Sequence, residues 1–280
     1  MSTPTVAPSA SPPAPLPVAP CHRRAVERVI QAVSERLDES YSLSDLAAIA
    51  YLSPYHFHRV FRHATGVPPG RFLAALRMEA AKRLLLTSDL SVTETCFAVG
   101  YHSLGTFTSQ FSRLVGLSPG ALRRLARGNG GNLAPLPELG ADDTAVVKGE
   151  LHAGGGFHGL AFVGLFPTPL PEGAPSGCTV AAVPGPYTVG ACREGSFHLL
   201  AAAFPNAFDL VGYLIPDSAA LVGRSAGPVL VRTGRDVAGV DIVLRPRRLT
   251  DPPILIAPTA LFARPAGRAS AEKTSAPASA

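Results

Sequence analysis

Two helix-length stretches gather hydrogen-bonding side chains at spacings that leave them on one face. These are Tyr55, His58, Arg59 and Arg62 in PYHFHRVFRHAT, and Gly105, Thr106, Thr108, Ser109 and Arg113 in LGTFTSQFSRLV. An arginine fork can donate two parallel hydrogen bonds to a guanine edge or to a phosphate. Hydroxyls and small side chains suit phosphate hydrogen bonds and thymine methyl contact. The first set is larger and more basic than the second, so direct base reading is expected mainly from the first, with looser preference from the second. No acid, base and nucleophile stand in a recognisable catalytic constellation, and no enzymatic activity is expected. Cys21, Cys96, Cys178 and Cys192 show no CxxC spacing, and His56, His58 and His63 share one helix at spacings poor for ligation, so neither a metal nor a cofactor is expected. The string PCHR at Pro20 to Arg23 resembles an alkyltransferase active-site tetrapeptide. It follows only a Pro-rich stretch and is taken as coincidence.

The elements that must hold these side chains recur. SPYHFHRVFRHATGVPPGRF and SLGTFTSQFSRLVGLSPGAL pair Ser53 with Ser103, Phe57 with Phe107, Phe61 with Phe111, Gly66 with Gly116 and Pro69 with Pro119. Each copy reads as a helix-turn-helix. In the first, Ser42 and Asp45 form a capping pair for a short helix over Leu43 to about Ala50. A turn at Tyr51 and Leu52 leads to Ser53, the cap of a second helix with Pro54 at its first position. Phe57, Val60, Phe61 and Ala64 fall on the apolar face, and Gly66 stops the helix. In the second copy Ser91 and Glu94 supply the first cap, Gly100 and Tyr101 the turn, Ser103 the next cap, and Phe107, Phe111 and Leu114 the buried stripe. Ser53 and Ser103, at the mouths of the outward helices, are counted with the DNA-facing residues.

Between the copies, FLAALRMEAAKRLLL predicts a helix from Phe72 to Leu86 with Phe72, Leu76, Ala80 and Leu84 as its apolar side. Val26, Val29, Ile30, Val33 and Leu37 mark a further helix from about Ala25 to Asp38. Residues 21–128 hold fourteen Lys or Arg against eight Asp or Glu, while the remainder holds eleven against twelve. The positive excess therefore lies wholly in the helical block, where phosphate neutralisation would need it.

On LSPYHFHRVFRHATGVPP, the AAKRLLL end of the linking helix and VGYHSLGTFTSQFSRLVGLSPGALR, the chain resembles the DNA-binding domain of AraC/XylS transcription regulators. The resemblance implies base contacts at Tyr55, His58 and Arg59 and at Leu104, Gly105, Thr106, Thr108 and Ser109. Leu122 stands where the family usually carries Tyr, Thr95 where a buried aliphatic is common, and Ser109 where a larger polar residue is frequent. The partners implied are double-stranded DNA and RNA polymerase, with room for a small-molecule effector and for a homodimer. With so little chain ahead of the helical block, the N-terminal sugar-binding barrel common in the family is not expected.

The remaining sequence changes character. Residues 1–21 read as a disordered extension rich in Pro, Ala and Ser, 22–127 as the DNA-binding domain, and 128–144 as a linker. From 145 to 247, seven short β-rich runs alternate with Gly and Pro turns: AVVKGEL, LAFVGLF, CTVAAV, YTVGAC, FHLLAAAF, PVLVRTG and GVDIVLRP. They predict an antiparallel sandwich and are similar to carboxypeptidase regulatory-like, prealbumin-type β-domains. Residues 248–280 read as a largely disordered tail. The fold class expected is thus multidomain, an all-α tandem helix-turn-helix block followed by an all-β sandwich-like effector or interaction domain. The absence of a secretory leader or membrane-length apolar run predicts a cytoplasmic, nucleoid-associated protein with no membrane partner. The function expected is transcription regulation at specific DNA sites, the alternative being an architectural DNA binder whose β domain serves self-association.

Overall fold

The computed structural model describes residues 19–124, 127, 145–191, 193–205, 215 and 220–255. The expected extension over residues 1–18, the linker over 128–144, Cys192 and the tail beyond residue 255 lie outside the described residues.

Helix α1 (Pro20–Glu35) begins two residues inside the stretch expected to be an extension, with Pro20 in its first turn, where a missing N–H costs nothing. Its buried stripe, Ala25, Val26, Val29, Ile30 and Val33, covers the first helix-turn-helix unit, α2 (Leu43–Ala50) and α3 (Pro54–Thr65). The Ser42–Asp45 capping box is formed: the Ser42 N–H donates to Asp45 Oδ2 at 2.8 Å and the Asp45 N–H to Ser42 Oγ at 3.2 Å. The Ser42 hydroxyl, donating to Asp45 Oδ2 at 2.6 Å, and then the Ser42 N–H hold the Asp45 carboxyl below the usual carboxylate range. Ser91 and Glu94 repeat this box at the start of α5 (Val92–Ala98), which leads to α6 (Leu104–Val115) and α7 (Pro119–Arg124).

The turns of the two units differ. The first places Tyr51 in the left-handed region at φ 57°, whereas the second uses Gly100 at φ 80°. A Cβ on Gly100 would lie 2.4 Å from the Leu37 carbonyl oxygen, so a side chain is excluded there by both conformation and space. Inside the units the repeated phenylalanines stack alike: Phe57 and Phe61 have centroids 5.4 Å apart, Phe107 and Phe111 5.6 Å.

The linking helix α4 (Pro69–Thr87) departs from expectation. Its buried residues are Pro69, Phe72, Leu73, Ala75, Met78, Ala81, Lys82 and Leu85, while Leu76, Ala80 and Leu84 are only partly buried. A single apolar stripe was the wrong description because α4 is covered on more than one side. Both helix-turn-helix units pack on it, and so does chain from beyond residue 246.

Residues 145–246 form strands β1 (Ala145–Ala153), β2 (Gly159–Phe166), β3 (Gly177–Val183), β4 (Gly185–Ala191), β5 (Gly195–Phe204), β6 (Leu221–Arg224), β7 (Val229–Val231) and β8 (Ile242–Pro246). The seven expected runs all contain strand; β6, with Gly223 in its centre, had no β-rich signature. The pairing order is β3-β2-β5-β6-β8-β1-β4, with β7 added on β5. Every pair is antiparallel except β1 with β8. The path nearly closes on itself: a Cβ on Gly177 of β3 would lie 1.8 Å from the Gly190 carbonyl oxygen of β4. The expected two-layer sandwich is therefore replaced by one nearly closed, barrel-like sheet. Its interior holds Val147, Leu151, Val163, Leu165, Val189, Leu199, Ile242 and Leu244. Strand alternation sends Phe162 and Phe166, Leu200 and Ala202, and Val222 and Val243 to the outside.

Two segments of the β domain seat on the helices. In the β2–β3 connection, Leu170 is buried in the helical core, the Gly173 N–H donates to the Leu114 carbonyl at 2.8 Å, and Glu172 pairs with Arg71. After β8, Arg247 grips Glu79 at 2.7 and 3.4 Å, the Ile254 carbonyl accepts from Lys82 Nζ at 3.1 Å, and Leu255 is buried among helical residues. Residues 248–255, read from sequence as the start of a loose tail, are thus packed structure.

Lys82 is 1% exposed. Burial, opposed by the Glu79 carboxylate and reinforced by Arg247, pulls its ammonium down to about 8. An unfolded lysine keeps its proton to about pH 10. Between these values the unfolded chain binds more protons than the folded one, so this group's contribution to stability rises with pH; below pH 8 its desolvation penalty is present in full. The difference in thermal midpoint between wild type and Lys82→Met is therefore expected to shift in favour of wild type as pH rises from 8 to 10. A pH-independent difference would show that Lys82 keeps an ordinary affinity for its proton.

Candidate nucleic-acid interface

Each outward helix is held by what it buries. Helix α3 turns Phe57, Val60, Phe61 and Thr65 inward, the Thr65 hydroxyl donating to the Phe61 carbonyl at 2.9 Å. The expected stripe residue Ala64 is only half-buried, and Thr65 takes the deeper place. The opposite side of α3 leaves Tyr55 83% exposed, Arg59 and Arg62 exposed and His58 half-buried. Ser53 is the N-cap residue and is exposed, but its side chain makes no capping hydrogen bond. The capping bond expected of its hydroxyl is not formed.

Helix α6 buries Phe107, Phe111, Leu114 and Val115. Ser103 caps it, its hydroxyl accepting from the Thr106 N–H at 3.4 Å. Leu104, Gly105, Thr106, Ser109 and Arg113 are exposed and Thr108 is half-buried. Gly105, Thr106, Ser109 and Arg113 meet in one shallow concavity, together with Gln110.

Gln110 was missed in the sequence, although it stands four residues after Thr106 and three before Arg113, a spacing that places all three side by side. The Tyr101 hydroxyl donates to Gln110 Oε1, tying the turn of the second unit to α6. Burial pushes the Tyr101 hydroxyl up, so it stays protonated as that donor. His56, whose spacing reads better as a groove-facing or surface residue than as a metal ligand, is half-buried. Its Nδ1 lies 3.3 Å from Arg59 Nη2, and its ring packs on His22 of α1 with centroids 5.3 Å apart. These contacts position the Arg59 fork from behind.

Not all of the positive excess is free. Arg77 donates to the Leu37 and Glu39 carbonyls, Arg123 to the Leu85 and Leu90 carbonyls, and Arg28 to the Ile49 carbonyl while lying 5.0 Å over the Tyr51 ring. Lys82 is buried and Arg71 pairs with Glu172. Net charge counted along the sequence therefore overstates the cations available to phosphate, and Arg59, Arg62 and Arg113 stand out as exposed cations on α3 and α6.

Comparison with known proteins agrees with this geometry. Residues 46–125 match the family model described as a helix-turn-helix domain. The MmsAB operon regulatory protein of Pseudomonas aeruginosa is 40% identical over 98 residues, covering 35% of this chain and 32% of that protein. The bifunctional transcriptional activator/DNA repair enzyme AdaA of Bacillus subtilis is 26% identical over 102 residues, covering 36% of this chain and 48% of its own length. The crystal structure of the DNA-binding domain of AdpA in complex with a target DNA is 38% identical, with 38% of this chain and 98% of that chain covered and a TM-score of 0.36. The helical block thus carries a helix-turn-helix domain similar to those of transcription regulators. The chain spans between about a third and a half of these two curated relatives, and the similarity is to their shared domain. Cys21, in the PCHR string that resembles an alkyltransferase tetrapeptide, lies exposed at the start of α1. Among the described residues, no helix is long and apolar enough to cross a membrane.

Proposed function

We propose that this protein is a sequence-specific transcription regulator in which α3 and α6 enter successive major grooves of one duplex, while the β domain senses a small molecule. The observation that carries the reading is the duplicated unit: both second helices bury the same phenylalanine pair and expose their polar faces. Tyr55, His58, Arg59 and Arg62 would read and anchor from α3. Leu104, Gly105, Thr106, Thr108, Ser109, Gln110 and Arg113 would do so from α6, with Ser53 and Ser103 at the phosphate-facing mouths of the two helices. The docking of the β domain on α4 and α6 supports a regulatory rather than a merely tethered role, since Leu170, Leu255 and the Arg247–Glu79 pair join it to the reading block.

Genome-wide mapping of bound sites, followed by footprinting of the strongest, would supply the operator. On that site Arg59→Ala is expected to cost about 1–3 kcal/mol and to relax preference at one base pair without altering the fold. Equal affinity and equal specificity of the variant in a mobility-shift series would remove Arg59 from the reading set. A protein spread over DNA without preferred sites would overturn the regulator reading and favour an architectural one.

A further inference from the structure

On the outer face of the barrel-like sheet, beside the segments that seat on the helices, lies a cavity of about 360 Å³ lined by residues of the β domain. Its floor is the outside of β2, β5, β6 and β8, and its rim is formed by the two segments that seat on the helices, around Pro169 and around Ile254. This face is apolar where a barrel exterior facing water would be polar: Phe162, Leu200, Val222 and Val243 line it, and Val243 is 69% exposed. The volume is that of a small-molecule site.

Its charge is one-sided. Arg224, Arg245 and Arg248 line it against Asp251. Asp251 is already committed: its two oxygens accept from both Arg245 nitrogens at 2.7 Å, and Oδ2 also accepts from the Arg248 N–H at 2.7 Å. Arg224 and Arg248 are exposed residues, and neither pairs with a carboxylate among the described residues. Two uncommitted forked donors at the edge of an apolar floor complement a ligand with an anionic head and an apolar body.

We infer that this cavity is the effector site of the protein and that it takes a small amphipathic organic anion, such as a carboxylate with an aliphatic or aromatic body. The inference rests on the regulator reading for its consequence and not for the binding itself. Pro169, on the rim, packs against Gly66, the left-handed cap that ends α3. A Cβ built on Gly66 would also lie 3.6 Å from Arg224 Nη1. The neighbouring Leu170 is in the helical core, and Ile254, on the opposite rim, accepts from Lys82 of α4. A ligand that draws Arg224 and the rim segments toward itself acts on the same contacts that hold the end of α3, which gives it differential affinity for two seatings of the reading block.

The test uses the full chain, with octanoate as the anion and octylammonium as the cation of matching tail. Calorimetric titration is expected to give saturable single-site binding of octanoate and binding weaker by roughly tenfold or more for octylammonium. Val222→Trp, which fills the floor, should abolish octanoate binding. The double variant Arg224→Glu with Arg248→Glu, made at exposed positions, should fold normally and reverse the preference between the two probes. No saturable octanoate binding, or binding unchanged in the double variant, overturns the site. Site-selective DNA binding of the full chain, measured with and without octanoate, is expected to shift severalfold, and the shift should vanish in the double variant. Octanoate binding with unchanged DNA affinity would overturn the effector role, whereas octanoate binding by a chain that selects no DNA site would overturn the regulator reading and leave the anion site standing.

Discussion

Replacing Phe111 by alanine is expected to destabilise the protein by about 3–5 kcal/mol, because a fully buried ring is removed from a region that has little to collapse into the space. Phe111 is 0% exposed and packs against Phe107, which in turn packs against Tyr101 in the turn of the second unit. Loss of the ring removes an anchor of α6 in the helical core, so the arrangement of Thr106, Ser109, Gln110 and Arg113 is lost with the fold rather than by removal of a contact. Chemical denaturation of Phe111→Ala beside Phe61→Ala, its counterpart in the first unit, checks the repeat directly. Phe61 touches Phe57 and Phe72, and comparable losses are expected. A wild-type unfolding transition in Phe111→Ala would mean that α6 is rotated from the orientation described.

A fragment of residues 19–128 is expected to fold, and to be less stable than the same helices in the intact chain by at most about 3–6 kcal/mol, an upper bound because the unfolded chain is not fully extended. The loss arises because the fragment returns to water the helical surface that Leu170 and Leu255 cover, together with Lys82 and Glu79. Hydrogen exchange along α4 and α6 reads both proteins on one scale, with faster exchange in the fragment as the expected result. On the regulator reading, the fragment should also retain the operator preference of the full chain, with affinity falling steeply as salt rises. Equal protection in fragment and full chain would show that the β domain adds nothing to the helical core. A fragment with no protected amides would show that the helical block does not fold alone.

What was legible in the sequence is what is encoded within a few residues. A capping box is a relation between positions three apart, a buried stripe a relation between positions three and four apart, and both are properties of a single helix. Ser42 with Asp45, Ser91 with Glu94, and the inward Phe57, Phe61, Phe107 and Phe111 therefore stand where their spacing puts them. The fifty-residue offset between the two copies extended that local logic to a domain. Where the local rule met a competing option it gave way: Ser53 precedes its helix without capping it, and Thr65, satisfying its own hydroxyl on the helix backbone, lies deeper than Ala64.

The β region shows the boundary sharply. Alternating apolar residues located seven of the eight strands, but alternation fixes only the two faces of a strand and carries no information about which strand it pairs with. The parallel pairing of β1 with β8, and the approach of Gly177 to Gly190 that nearly closes the sheet, join residues far apart in the chain. They were decided by packing. The same holds for the seam between the domains. Lys82 sits in a strong helix-forming stretch and reads as a solvated cation, yet it is buried because Ile254, 172 residues on, lies over it. Leu255 reads as part of a loose tail and is core. The sequence by itself determined the two outward helices and most of the side chains they expose, because helices are built from neighbours. Only the tertiary structure decided which cations remain exposed, how the sheet closes and that a cavity opens on its outer face, because each depends on surfaces that distant parts of the chain bring together.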